Sequence, residues 1–218
     1  MKPTRRNNLR PGLTIIELLV VVATLCLLVL WFLPSLATTN RKAPLTACGR
    51  QLKQMALAEI IWANDHNSTN TFLAQRSINE GGLRELLPSA GLVHFYRSLS
   101  NELVTPRILT CPSDTRKSTE DFASLTANHL SYFLNMDAKP NAEAVLHGDR
   151  HITFNPAVRG QVVTLTTNLS LSWTKKTGHG SVGNLAIADG SVAKATDRDL
   201  TEYLLVPSRQ TAQQLLFP

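Results

Sequence analysis

The sequence predicts an α+β chain in which a long N-terminal hydrophobic helix leads into a head built on an antiparallel sheet. Three observations predict it. An apolar run over residues 13–37 follows a short basic leader. Residues 45–63 then repeat apolar side chains at helical spacing. From residue 105 the texture changes to short β-like runs separated by turn residues. The 218 residues, 43% hydrophobic and 17% charged, hold one domain of ordinary size and leave no room for a large multidomain enzyme. That composition excludes a disordered or collagen-like chain. Three cysteines are too few for a disulfide-dense mini-fold or a four-cysteine zinc site.

The leader, residues 1–12, contains Lys2, Arg5, Arg6 and Arg10 and no acid. Removing those four charges from the net +6 leaves +2 for the rest. No basic stripe interleaved with aromatics follows, so no nucleic-acid partner is expected. Residues 18–33 are uncharged. At about 1.5 Å per residue, the 25 residues 13–37 reach roughly 37 Å, enough for a bilayer core of about 30 Å. Basic residues precede the run, which puts residues 1–12 in the cytoplasm and the bulk outside it. A cleaved signal peptide ending at Ser35-Leu36-Ala37 and a plain anchor both fit this much. Neither accounts for Glu17, whose charge within a membrane helix costs about 2.5–3.5 kcal/mol. Snorkelling to the cytoplasmic interface is the simpler account of that residue.

Gly12, then Leu13-Thr14-Ile15-Ile16-Glu17, then an apolar helix, resembles the class III signal of type IV prepilins and type II secretion pseudopilins. The resemblance implies cleavage by prepilin peptidase between Gly12 and Leu13, and methylation of Leu13. Leu13 stands where that family usually has Phe. Glu17 then becomes the fifth mature residue, and its carboxylate is expected to pair with the N-terminal amine of a neighbouring subunit during assembly. Pro34 falls where such helices carry a kink. A second resemblance covers the head. CPSD, SYFLNMDA, AVLHGDRHIT and GHGSVGNLAIADGSV are similar to the C-terminal half of prepilin-type proteins common in planctomycete and verrucomicrobial genomes. There a His precedes an Asp-Gly-x-Val hairpin by about ten residues, as His179 precedes Asp189-Gly190-Ser191-Val192 here. Roughly residues 64–105 lie outside both resemblances.

Together they imply a pilin-like fold with a basic leader at 1–12, a transmembrane and assembly helix at 13–37, an amphipathic stem at 38–63 and a periplasmic α+β head at 64–218. The implied function is a structural pseudopilin subunit of a type II secretion or type IV pilus-related assembly. It is a single-pass inner-membrane protein with a cytoplasmic N-terminus, it is not an enzyme, and its partners are prepilin peptidase and other pilin or pseudopilin subunits. Two rivals remain: a non-polymerising membrane-tethered periplasmic binding module, and a secreted enzyme released after Ala37.

In the stem, Leu45, Cys48, Leu52, Met55 and Trp62 form the apolar stripe, with Arg50, Lys53 and Glu59 at other positions. Pro44 is expected to break or kink the helix around residues 40–44. Residues 64–71 read as a polar loop, in which Asn64, Asp65, His66 and Asn67 are a helix-terminating turn rather than metal ligands. Residues 78–104 read as two short helices punctuated by Pro88 and Gly91. Strands are expected near 108–114, 130–135, 144–150, 162–166, 169–173 and 184–188. Asp189-Gly190 is a hairpin turn returning through Ser191–Lys194. Helices are expected at 197–205, capped by Thr196 or Asp197, and at 208–216.

His147, Asp149, His151, His179 and Asp189 are the residues from which a metal or acid–base site would be built. His147 and Asp149 share a strand face. Their spacings match no named hydrolase or metalloprotease motif, and no Gly-rich phosphate loop, G-x-S-x-G or HExxH is present. No cofactor is expected. Calcium is the one candidate, held by hard oxygens around Asp189 and Asp197 or Asp199. Cys26 lies in the apolar helix as a small hydrophobe. Cys48 and Cys111 either join as a disulfide in an oxidising space, closing 62 intervening residues for about 4 kcal/mol, or remain two buried thiols.

Overall fold

The computed structural model describes residues 14–68, 71–140, 143–174, 178–208 and 212–218, and of residues 32–43 and 207–208 the backbone only. Gly12 and Leu13 lie outside the described residues, as does the side chain of Pro34. The chain divides into two compact units, Met1–Lys42 and Ala43–Pro218.

Helix α1 (Ile15–Asp65) begins in the first unit and ends in the second. Its start is fixed by the string Thr14-x-x-Glu17. The Thr14 N–H and hydroxyl donate to Glu17 Oε2 at 2.8 and 2.9 Å, and the Glu17 N–H donates back to Thr14 Oγ1 at 3.4 Å. This reciprocal arrangement satisfies donors that a helix start leaves without intrahelical partners. Downstream, the hydrophobic side chains from Ile15 to Trp31 are solvent-exposed, the large ones by 50% to 86%.

Two expectations about this segment are corrected. Helix α1 runs through Pro44, so the expected break at 40–44 is absent. More important, among the described residues no helix is long and apolar enough to cross a membrane. The transmembrane helix is therefore not upheld. With it go the pilin-like form of the fold class and the single-pass inner-membrane placement with a periplasmic head.

The second unit is α+β. Its main sheet contains β1 (Tyr132–Asn135), β2 (Val145–Asp149), β4 (Val162–Leu165), β6 (Gly183–Ile187), β7 (Val192–Ala195) and β8 (Gln213–Leu216). A two-stranded sheet pairs β3 (Ile152–Asn155) with β5 (Ser170–Trp173). The main sheet runs β4-β8-β1-β2-β6-β7, with every neighbouring pair antiparallel.

Strand alternation sends side chains to two cores. Leu134, Ala186 and Leu216 join Cys48, Leu52, Met55 and Trp62 of α1, and Leu92, Phe95 and Tyr96 of α2 (Leu87–Ser98). Phe133, Leu185 and Leu215 face the other way, onto Leu171 and Trp173 of β5 and Leu200 and Leu204 of α4 (Asp197–Ser208). Helices thus cover one face of the sheet, and α4 with the small sheet covers the other. In β2 the pairing register slips between Val145 and His147. Leu146 and His147 consequently both belong to the α1 side, Leu146 in its apolar core and His147 against Glu59.

Pro88 lies in the first turn of α2, and Gly91 interrupts that helix with φ +70°. The short α3 (Ser100–Leu103) follows. The Thr196 N–H and hydroxyl donate to Asp199 Oδ2 at 2.9 and 2.8 Å, capping α4 as Thr14 and Glu17 cap α1. Two expected elements change type. Residues 108–114 are not a strand: Pro106–Leu109 is a 3-10 turn, started by Pro106 with the Thr105 hydroxyl accepting from the Arg107 N–H. The helix expected at 208–216 is replaced in its described part. Gln213–Leu216 is β8, because pairing with β4 and β1 buries Leu215 and Leu216 in opposite cores.

Candidate functional site

A polar cluster collects where the first α1 turns of the second unit meet the end of β2 and the loop entering β6. Cys48, on α1, and Cys111, just past the 3-10 turn, are disulfide-bonded across a separation of 63 residues. Both are buried. His179 arrives on the Gly178-His179-Gly180 loop, whose two glycines have φ +64° and +77°. A Cβ at Gly178 would stand 2.7 Å from His151 Nδ1, so the loop needs glycine for space as well as for φ. His179 Nε2 lies 3.3 Å from Cys111 Sγ and 3.8 Å from Asp149 Oδ2.

Asp149 closes β2. Its Oδ2 accepts from the Asn184 backbone N–H at 2.7 Å and from Asn184 Nδ2 at 3.4 Å, and the same amide donates to the Leu45 carbonyl at 3.1 Å. Burial raises the Asp149 carboxyl to about 7; the Asn184 hydrogen bonds pull against this, and the nearby Asp114 charge adds to it. Burial likewise lowers His179, helped by His151. Both groups of the His179–Asp149 contact are thus biased toward their neutral forms.

Beside them, Arg150 Nε and Nη2 donate to Asp114 Oδ2 and Oδ1 at 2.7 and 2.8 Å. Burial, the largest influence, works to raise the Asp114 carboxyl, but the Arg150 fork, the Ser131 hydroxyl and the Arg150 and His151 charges together outweigh it and hold the group well below the usual range. His151 Nε2 is 3.8 Å from Asp114 Oδ1, and burial followed by the Arg150 cation lowers its pKa.

The five residues singled out in the sequence therefore do not form one constellation. Asp149 meets His179, and His151 meets Asp114. His147 instead faces Glu59 of α1, with Nε2 and Oε1 2.5 Å apart and both side chains inaccessible to solvent. Neither group makes an aligned hydrogen bond, and the buried Tyr96 hydroxyl has no partner either. Burial, then the Glu59 charge, raises the Tyr96 hydroxyl well above its ordinary value. Asp189 stays at the hairpin tip, where Oδ1 accepts from the Ser191 N–H at 2.8 Å. Gly190 has φ +83°, and a Cβ there would touch Leu57 Cδ2 at 3.2 Å, so the Asp-Gly tip is seated on α1. The carboxylates considered for calcium hold local bonds: Asp197 Oδ1 accepts from the Trp173 N–H at 2.7 Å, and Asp199 caps α4. Among the described residues, the group whose ligand atoms converge as a metal site would require is Cys48, Cys111 and His179, all within 4.8 Å of one another.

Glu59 and Asp114 are missing from the sequence reading as partners. The signal for Glu59 was present: it fills the gap between Met55 and Trp62 in the apolar stripe, at offsets of four and three. Compared with protein-family models, curated proteins and solved structures, the chain matches none.

Proposed function

We propose that this protein is a structural, pilin-like subunit that assembles through its N-terminal helix, after prepilin-peptidase cleavage between Gly12 and Leu13. The observation behind this reading is the apolar surface from Ile15 to Trp31, whose large side chains are at least half exposed. A contiguous apolar surface of that extent needs a cover, and parallel copies of the same helix supply one. The head is consistent with a building block. It has two apolar cores, a disulfide and locally paired carboxylates.

Glu17 carries two roles that one substitution separates. As the cap partner of Thr14 it needs an acceptor oxygen; as the partner of a neighbouring subunit's amine it needs a charge. Its two hydrogen bonds from Thr14 lower its pKa, which keeps the charge available. Glu17→Gln retains the acceptor and removes the charge. The variant is expected to be processed normally, to keep the parent's far-UV circular dichroism, and to lose cross-linking between copies at matched expression. Equal cross-linking would leave Glu17 as a cap alone and overturn the reading. Intact mass supplies the independent check: a mature chain beginning at methylated Leu13 supports it, and one beginning at Thr38 supports ordinary secretion.

A further inference from the structure

Beyond its structural role, we propose that the Cys48–Cys111 disulfide masks a thiolate metal site, opened by reduction and completed by His179, which takes zinc or another borderline-soft divalent cation.

The donor set has the right chemistry. Two thiolates and an imidazole are preferred zinc ligands, with Zn–S near 2.3 Å and Zn–N near 2.0–2.1 Å. Tetrahedral angles then require an S···S separation of roughly 3.8 Å and S···N of roughly 3.6 Å. His179 Nε2 already lies 3.3 Å from Cys111 Sγ. The Cα atoms of the two cysteines are 5.2 Å apart, so side-chain rotation can open the sulfurs to that spacing once the bond is gone. Asp149 Oδ2, held by Asn184, is 3.8 Å from His179 Nε2 and orients the ring from outside the three converging donors. The site is built, because the Gly178-His179-Gly180 backbone serves to aim this ring at the sulfurs.

The chemistry balances in two steps. A dithiol reductant exchanges twice with the disulfide, giving Cys48–SH, Cys111–SH and the oxidised reductant. The divalent cation then displaces one proton from each thiol, forming two metal–sulfur bonds and releasing two protons. Disulfide and metal site are thus mutually exclusive states of the same two sulfurs.

The test uses the full chain and Co²⁺ as the probe, with and without a dithiol reductant. The reduced parent is expected to bind one Co²⁺ with thiolate-to-cobalt charge-transfer absorption, and the oxidised parent to show none. His179→Ala, reduced, should bind at least about tenfold more weakly. The Cys48→Ser/Cys111→Ser chain should show no such band. Should reduction loosen the head, recovery of near-UV circular dichroism on adding Co²⁺ is read instead, and it should occur in the parent but not in His179→Ala. A reduced parent with neither the band nor that recovery overturns the proposal, as does a His179→Ala chain that binds as tightly as the parent.

Discussion

Glu59 Oε1 and His147 Nε2 stand 2.5 Å apart in the core between α1 and the main sheet, both fully buried. Removing either partner leaves the other in an apolar enclosure with nothing to compensate it. Glu59→Ala and His147→Ala should each destabilise the head by about 3–5 kcal/mol, whereas replacing both by apolar residues of similar volume should recover much of that loss. Urea denaturation across a double-mutant cycle reads the coupling. Single-variant losses below about 1 kcal/mol would show that the pair is incidental to stability.

Asp149 predicts how stability depends on pH in the disulfide-bonded protein. Its carboxyl is raised from an ordinary value near 3.8 to about 7. The fold therefore favours the protonated form. This contribution is complete below about pH 4 and is lost as pH climbs through about 7, in total about 4 kcal/mol. Burial lowers His151 and His179, whose contributions run the opposite way over part of this range, so Asp149 is read as a difference between two chains. The stability of the parent relative to Asp149→Asn, which keeps an acceptor for Asn184, should fall from pH 4 to pH 8. A difference that stays constant or grows over that range would contradict the buried neutral carboxyl.

The Asp114–Arg150 fork has the opposite sign. Asp114 is held below its ordinary value, so its contribution is present above about pH 4 and is lost on acidification. Arg150→Lys should restore little of what Arg150→Ala removes, because one ammonium cannot reproduce two parallel N–H···O bonds. Acid-induced unfolding should shift to higher pH in both variants. Wild-type acid stability in Arg150→Lys would show that charge alone suffices.

Two glycines are set by space. A Cβ on Gly183 would lie 2.4 Å from the Trp173 ring, and one on Gly190 would meet Leu57 at 3.2 Å on a backbone with φ +83°. Gly183→Ala should cost about 1–3 kcal/mol through displacement of Trp173, visible as altered tryptophan fluorescence. Gly190→Ala should cost a comparable amount through backbone strain and leave that fluorescence unchanged. A neutral Gly183→Ala would mean that the indole yields freely.

The sequence made visible what local chemistry determines. Asp189-Gly190 joins β6 to β7 because the turn demands those residues. Thr196 caps α4 because its side chain reaches the first turn. Long-range contacts decided the rest. Gln213–Leu216 carries no period-two signal, and it becomes a strand only because β4 and β1 leave a slot between them. Glu59 falls on the apolar stripe, but its burial requires His147, which is 88 residues away. The same limit applies to Arg150, whose fork onto Asp114 spans 36 residues. The apolar run at 13–37 showed the opposite error, where composition alone suggested a membrane span, whereas among the described residues no helix is long and apolar enough to make one.

The position of β8 bears on how the head is made. This strand is the latest of the sheet in sequence, yet it lies between β4 and β1 rather than at an edge. As the chain emerges from the ribosome, β1, β2, β6 and β7 can pair among themselves, while β4 has no neighbour in the sheet until Leu216 has been synthesised. Both cores also wait for that strand, since Leu215 and Leu216 enter opposite sides of it. Final closure of the head therefore waits until residue 216 has left the ribosome, and a nascent chain interrupted before residue 213 leaves β4 and one edge of β1 unpaired and open to association with other chains.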